Sequence, residues 1–171
     1  MSQAVHFAHK GIFYLMKTIE LTQNKFALVD DGDYYFYSNW NWQYANGYAI
    51  RFERHGKTRK TIYLHREILN SPMNLDVDHI NRNRLDSRRG NLRIATRSNN
   101  MANSPKPKNN TSGYKGVVWR KRKEKWEVKI TYNYKKFYLG EFKCLEDAAK
   151  AYDKAAIINF GEFATLNFPE N

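Results

Sequence analysis

The chain has 171 residues and a formal net charge of +12 at pH 7. This length fits one domain or two small ones, and the charge favours a polyanionic partner over a merely soluble basic surface. The single cysteine, Cys144, excludes an intramolecular disulfide and a cysteine-rich zinc site. The apolar run over residues 11–16 is too short for a signal-peptide core or a membrane span, so we expect a soluble cytoplasmic protein.

The positive charge is unevenly distributed along the chain. Residues 1–57 carry 6 basic and 5 acidic side chains, residues 58–112 carry 11 and 4, and residues 113–171 carry 12 and 8. We therefore expect the anion-binding surface to come mainly from the middle and the end of the chain.

The N-terminal part of the sequence favours β-structure. Apolar alternation between turn-forming residues predicts strands over residues 17–21, 25–29, 42–44, 48–52 and 61–64. Two helices are predicted, over residues 34–40 and 65–70. The dense aromatic residues from 34 to 48 fit the core of a small β-rich unit, with stacking on nucleic acid as the alternative.

An Asp78-His79 pair ends a short apolar run, and two asparagines follow at fixed distances. Asn91 lies 13 residues after Asp78, and Asn100 lies 22 residues after it. Residues 92–96 alternate like a strand, and the last of them can cap a helix that carries Asn100 on its first turn. A carboxylate, an amide oxygen and an adjacent imidazole make a hard site that suits magnesium or manganese rather than zinc.

This constellation resembles the HNH nuclease motif, a ββα-metal fold, with Asn as its third letter. The segments Tyr63-Leu64-His65-Arg66, Val77-Asp78-His79-Ile80-Asn81 and Asn91-Leu92-Arg93 are similar to the phage and intron-associated homing endonucleases. The resemblance implies His79 as general base, Asp78 and Asn100 as ligands of one divalent metal, and Asn91 as a brace for the loop carrying the histidine.

Other interpretations of these residues stay open at this stage. Asn91 also suits a turn before a strand, and Asn99 and Asn103 lie near enough to Asn100 to compete as the ligand. His65 could support the site, touch DNA or simply pack in the interior.

The segment after His79 is rich in arginine, with Asp86 as its one acidic residue before the next strand. Such a run can be a solvated loop, but beside a nuclease motif we expect phosphate contacts, because the planar guanidinium suits phosphate. The predicted DNA contacts of this segment are Arg82, Arg84, Arg88, Arg89 and Arg93.

The C-terminal part follows a linker of Pro, Lys and polar residues over 104–112. Strict alternation from Trp126 to Thr131, a second alternating segment at 136–139 and strand-forming residues at 113–119 predict three strands. An apolar stripe from Leu145 to Asn159 predicts a helix that covers the sheet and stops near Gly161.

This segment resembles the plant APETALA-type, or ethylene-response-factor, DNA-binding domain. The matching residues include Tyr114-Lys115-Gly116-Val117, Tyr138-Leu139-Gly140-Glu141-Phe142 and Ala151-Tyr152-Asp153. In that family the sheet enters the major groove, which implies DNA contacts at Lys115, Gly116, Arg120, Lys129, Lys136 and Tyr138. Val118, Lys129 and Thr131 depart from the plant pattern, so sequence preference does not carry over.

The sequence thus predicts an α+β protein with four parts. These are a β-rich region (1–57), an HNH ββα-metal core (58–103), a linker (104–112) and an APETALA-type domain (113–171), whose three-stranded antiparallel sheet packs on one helix. The predicted function is a metal-dependent homing endonuclease, with magnesium preferred and manganese as the alternative. It would act on duplex DNA as a monomer, without a membrane, in a prokaryotic or phage-infected cell. The rival functions are a DNA-binding regulator with a decayed nuclease core and a structured-RNA binder.

Overall fold

The computed structural model describes residues 16–169. The chain divides into two compact units, Met1–Ile94 and Ala95–Asn171. The fold class is α+β, as predicted, with a β-rich first part and a three-stranded sheet packed on a helix in the last. Within the described residues, no helix is long and apolar enough to cross a membrane.

The first unit begins with an antiparallel pair of strands, β1 (Met16–Leu21) and β2 (Lys25–Asp30). A helix, α1 (Asp31–Tyr37), follows β2 directly. It starts and ends about one turn earlier than the sequence predicted. Asp31 and Asp33 lie inside its first turn, where carboxylates favour the positive end of the helix dipole, instead of preceding it.

A second sheet consists of β3 (Gln43–Ala45), β4 (Tyr48–His55) and β5 (Thr58–Tyr63), in that order and antiparallel. Both β4 and β5 continue three residues further toward their shared turn than predicted, because the ladder includes Glu53, Arg54, Arg59 and Lys60. These polar residues break the apolar alternation on which the prediction depended, yet their backbones stay paired.

The strands that carry the motif lie later in the first unit. A short helix, α2 (Leu64–Ile68), is followed by β6 (Asp76–His79), which pairs with β7 (Leu92–Ala95). The core of this unit gathers apolar residues from all of these elements. Its most deeply buried members are Ala27, Val29, Ala49 and Leu64.

The second unit opens with α3 (Arg97–Ala102), which Thr96 caps as predicted by accepting a hydrogen bond from the Asn99 amide at 3.2 Å. Three antiparallel strands follow, β8 (Val117–Arg120), β9 (Lys125–Tyr132) and β10 (Lys135–Phe142). The long helix α4 (Leu145–Phe160) packs on this sheet, and its Ala148, Ala149, Tyr152 and Ala156 are buried against Val117, Val128 and Ile130.

One detail of the third strand differs from the prediction. Leu139 packs against the core as expected, but Phe137 is 46% exposed. The register shifts between Tyr138 and Gly140, where Gly140 has a φ of 130°. The bulge lies beyond Phe137, which still pairs with the buried Ile130, so the exposure of the Phe137 ring follows from the position of β10 at the edge of the sheet.

Candidate functional site

Asp78 and His79 end strand β6 and are both buried, with 3% and 5% of their surfaces exposed. The His79 ring lies in an aromatic cluster. Its centroid is 4.9 Å from that of His65, in an edge-on arrangement, and 6.1 Å from that of Tyr48. Tyr63 completes the cluster at 5.6 Å from His65. His65 and Tyr48 therefore restrict the position of the His79 imidazole by packing.

Burial controls the protonation of both histidines. It lowers the pKa of His79 to about 4, against the opposing pull of the Asp78 and Asp86 carboxylates. Burial, helped by the nearby His79, lowers the pKa of His65 to about 3. Both rings are therefore neutral at pH 7, which is the form in which an imidazole can accept a proton.

Asp78 forms an ion pair with Arg93 of strand β7. The Arg93 Nε and Nη2 atoms both lie 2.8 Å from the same carboxylate oxygen, Oδ2 of Asp78. The sequence predicted Arg93 as a DNA contact. Its side chain is 13% exposed and is bound to a carboxylate inside the unit, so that role stays a prediction.

Asn91 connects the two ends of the loop that follows His79. Its Oδ1 accepts a hydrogen bond from the Asn81 amide at 3.0 Å, and its Nδ2 donates to the carbonyl oxygen of Asp86 at 2.7 Å. The backbone adds a bond from the Ile80 amide to the Asn91 carbonyl oxygen at 2.9 Å. Asn91 is 8% exposed, so these bonds are largely shielded from water.

The same loop is organised by a buried carboxylate, Asp86, which the sequence analysis did not select. Arg88 binds it through Nε to Oδ1 at 2.7 Å and Nη2 to Oδ2 at 2.6 Å, and Asn81 donates to Oδ2 at 2.8 Å. Burial alone would raise the pKa of Asp86, but these donors outweigh it and lower the pKa. An acid that stands alone in a basic loop is the sequence signal that could have identified it.

The loop arginines divide into two groups. Arg88 binds Asp86, and Arg89 binds Asp33 through two hydrogen bonds of 2.9 and 2.8 Å. Arg82 and Arg84 are exposed instead. The Arg84 guanidinium lies 4.8 Å from the Tyr48 ring centroid and donates to the Asn46 carbonyl oxygen at 3.3 Å. Arg82 and Arg84 are thus the loop arginines best placed to reach a phosphate.

The predicted metal ligands belong to different units, since Asp78 precedes the division after Ile94 and Asn100 follows it. Asn100 lies on α3, and its backbone amide donates to the Thr96 carbonyl oxygen at 2.9 Å. Between residues 16 and 169, no group of three or more His, Cys, Asp or Glu side chains is arranged to hold a metal. The donor chemistry of Asp78 and Asn100, one carboxylate and one amide oxygen, nevertheless fits a hard divalent cation.

The second unit contains the other predicted DNA contacts. The strand register pairs Tyr138 with Lys129, Lys136 with Thr131 and Arg120 with Lys125. Because Val128 and Ile130 point into the core, the alternation puts Arg120, Lys129, Lys136 and Tyr138 on the opposite face of the sheet. Arg120, Lys136 and Tyr138 are exposed, and Lys129 is half-buried.

A carboxylate lies in the middle of this basic face. Glu127 binds the Arg120 guanidinium and lies 2.7 Å from the Lys129 Nζ atom. Hydrogen bonds from Arg120 and Lys129 lower the pKa of Glu127 to about 2. Two of the four predicted contacts on this face are therefore partly neutralised by Glu127.

Lys115 and Gly116, the remaining predicted contacts, have structural roles in the second unit. Lys115 Nζ donates to the carbonyl oxygens of Ala102 and Ser104, each at 2.6 Å. Gly116 has a φ of 77°, and a Cβ there would lie 2.1 Å from the Tyr152 ring. Only glycine fits between Tyr152 and strand β9 at this position. Their DNA contacts stay predictions.

Two known protein families match this chain, each over a different segment. An HNH endonuclease model matches residues 70–102, and an AP2 domain model matches residues 112–162. The first match includes Asp78, His79, Asn91 and Asn100, and the second includes the three-stranded sheet and α4.

Three curated proteins are similar to this chain. Protein 3.8 of Escherichia phage T7 is 36% identical over 93 residues, which are 54% of this chain and 76% of that protein. An uncharacterised HNH endonuclease of Acanthamoeba polyphaga mimivirus is 30% identical over 146 residues, 83% of this chain and 74% of that protein. APETALA2-like protein 2 of rice is 42% identical over 62 residues, which are 36% of this chain and 14% of that protein.

The chain belongs to the HNH endonuclease family and also carries an AP2 domain. Both resemblances found in the sequence are thereby confirmed. Both domains are of DNA-binding types, so one chain carries an HNH endonuclease domain and an AP2 domain.

Proposed function

We propose that this protein is a metal-dependent endonuclease of the homing type that hydrolyses one phosphodiester bond of duplex DNA at a time. The proposal depends chiefly on His79, which is buried next to the Asp78 carboxylate inside a segment that matches the HNH family. Charge on the second unit supports DNA as the polymer, because its sheet presents basic and aromatic side chains on one face.

In this mechanism the chain's own residues prepare a water molecule. His79 takes a proton from a water placed in line with the scissile phosphorus, and the oxygen of that water attacks the phosphorus. The bond to the 3′ oxygen breaks and that oxygen takes a proton from solvent water, which leaves a 5′ phosphate and a 3′ hydroxyl. His65 and Tyr48 hold the imidazole, and Asn91 holds the loop behind it.

Asp78 and Asn100 are the residues we propose as metal ligands, with magnesium preferred and manganese as the alternative. A divalent cation supplies positive charge for the phosphate and the leaving oxygen. Arg93 binds the Oδ2 atom of Asp78 and so fixes the orientation of this carboxylate. Arg82 and Arg84 are the proposed phosphate contacts of the loop.

The test is cleavage of a supercoiled plasmid library with random inserts, in magnesium and in EDTA. We expect nicked product only with magnesium, because a monomer with one site cuts one strand at a time. Tight, salt-sensitive duplex binding without cleavage of any plasmid would instead favour the rival function, a DNA-binding regulator with an inactive nuclease domain. We place the reaction in the cytoplasm of a prokaryotic or phage-infected cell.

A further inference from the structure

The loop after His79 has less free positive charge than its sequence suggests. Arg88, Arg89 and Arg93 bind the carboxylates of Asp86, Asp33 and Asp78 within the first unit. A cation that is already bound to a carboxylate neutralises a phosphate poorly, since it would have to exchange one anion for another. Arg82 and Arg84 remain as exposed cations of the loop, and other cations of this unit would add to the positive charge that they offer to the DNA backbone.

The turn between β4 and β5 supplies such cations. Residues 54–60 contain four Lys or Arg and no Asp or Glu, and all seven are exposed. Within the described part of the chain, no carboxylate forms an ion pair with Arg54, Lys57, Arg59 or Lys60. The nearest acid along the strand, Glu53, is bound to Arg51 at 2.6 Å.

Two of these arginines face each other across the ladder. Arg54 and Arg59 are direct partners in the antiparallel register, and like charges in that position destabilise a hairpin. The Arg59 guanidinium also stacks on the Phe52 ring, with its Cζ atom 3.9 Å from the ring centroid. An anion bound between the two guanidiniums would relieve their repulsion, and the stacking already orients one of them.

The pair projects from the same side of the sheet as the candidate active site. Alternation along β4 puts Arg54 on the face of Tyr48, and alternation along β5 puts Arg59 on the face of Tyr63. The Tyr48 ring contacts His79, and the Tyr63 ring contacts both Tyr48 and His65. The face of the β4–β5 hairpin that packs on His79 through Tyr48 is therefore the same face that carries Arg54 and Arg59.

The separation also suits a DNA strand. Arg59 lies four residues before Tyr63, which is about 13 Å at roughly 3.3 Å per residue of strand. Successive phosphates of one strand are about 3.4 Å apart along the helix axis, so a hairpin aligned with that axis would put the pair about four nucleotides from the phosphate nearest Tyr63.

We propose that the β4–β5 hairpin is a second phosphate-binding site in the first unit, in which Arg54 and Arg59, with Lys57 at the tip, bind the backbone of duplex DNA flanking the cleavage site. The inference extends the proposed function, but it concerns binding and does not require that the bond be cut.

The test is equilibrium binding of a labelled duplex to the full-length His79→Ala protein in EDTA, over a series of salt concentrations. The variant is Arg54→Gln/Arg59→Gln in that background. Its control is Lys150→Gln/Lys154→Gln, which removes the same charge from exposed positions of α4. Arg54→Lys/Arg59→Lys keeps the charge and tests whether folding or packing is responsible.

Each phosphate contact contributes about 0.9 to the steepness of log K against log salt, so we expect the loss of both arginines to reduce that steepness by about 1.8. The Arg→Gln variant should also bind at least about tenfold more weakly at low salt. The Lys150/Lys154 control and the Arg→Lys variant should stay close to the parent. An unchanged slope in the Arg→Gln variant, or an equal loss in the Arg→Lys variant, contradicts the proposal. If the His79→Ala protein binds duplex DNA in the expected way but the wild-type protein does not cleave it, the proposed nuclease activity is wrong. The proposal that the hairpin binds phosphate is then unaffected.

Discussion

Arg93 binds one oxygen of Asp78 with two nitrogens, each 2.8 Å from Oδ2. The pair joins neighbouring strands β6 and β7 and is largely withdrawn from water, with side-chain exposures of 13% and 5%. Removal of one member takes from the other a partner of opposite charge in a place largely withdrawn from water, so substitution of either residue should destabilise the first unit.

Arg93→Gln should therefore lower the free energy of unfolding by about 3 kcal/mol, as expected when a buried ion pair loses one partner. Urea denaturation followed by tryptophan fluorescence measures this. The matched control is Arg84→Gln, which removes the same charge from an exposed side chain and should cost less than about 1 kcal/mol. Equal losses of unfolding free energy in the two variants would show that the contact between Arg93 and Asp78 does not stabilise the fold more than an exposed arginine does.

Asn91→Ala should loosen the loop that carries His79. The change removes the acceptor for the Asn81 amide and the donor to the Asp86 carbonyl oxygen, and leaves both of those groups with lost hydrogen bonds. We expect a loss of about 2–3 kcal/mol in unfolding free energy and a fall in cleavage rate beyond what the unfolded fraction explains. Asn83→Ala is the control, because Asn83 caps the same loop from an exposed position. Cleavage by Asn91→Ala at the wild-type rate would mean that the brace is dispensable.

The two buried histidines predict a loss of stability in mild acid. The folded pKa values, about 3 for His65 and about 4 for His79, lie below the ordinary value of 6.5. As the pH falls below 6.5, both histidines therefore become protonated in the unfolded chain while they stay neutral in the folded chain. Stability should be level above that pH and should decline by up to about 1.4 kcal/mol per pH unit for each histidine until the folded pKa is reached.

His65→Phe separates the two contributions, since it keeps an aromatic ring and cannot titrate. The slope of unfolding free energy against pH, measured by urea titrations between pH 6.5 and 5, above the range where carboxylates titrate, should fall to about half its wild-type value. An unaltered slope would show that His65 is not neutral in the folded protein.

Glu127→Gln should strengthen DNA binding rather than weaken it. The substitution removes a negative charge from the basic face of the second unit and frees Arg120 and Lys129 from their carboxylate partner. We expect several-fold tighter binding at low salt and a steeper salt dependence, because more cations become available to phosphates. Glu124→Gln, an exposed position in the β8–β9 turn, is the control. Weaker binding by Glu127→Gln would indicate that the carboxylate itself contacts a base.

The sequence predicted the fold class and most elements because apolar periodicity is strong in both units. It failed where polar residues continue a strand, as in the β4–β5 hairpin, and where a bulge changes the register, as at Gly140. Both features are set by backbone pairing, which side-chain hydropathy does not report.

In the candidate site, too, some features were predictable from the sequence and others were not. Residue types and spacing were enough to select Asp78, His79 and Asn91, because they recur at fixed intervals in the motif. The partners of the loop arginines were not predictable, since Arg89 meets Asp33 from 56 positions away and Arg93 meets Asp78 across two strands. Counting arginines in a loop therefore overestimated the charge available to DNA.

Whether His79 is the general base is decided by comparing wild type with His79→Ala on the same plasmid library in magnesium, with duplex binding measured in parallel. We expect nicking by wild type and a loss of cleavage by at least about a hundredfold in His79→Ala, as for the removal of a general base. The two proteins should bind duplex DNA with nearly equal affinities. Cleavage by His79→Ala at the wild-type rate would contradict the assignment of His79 as the base.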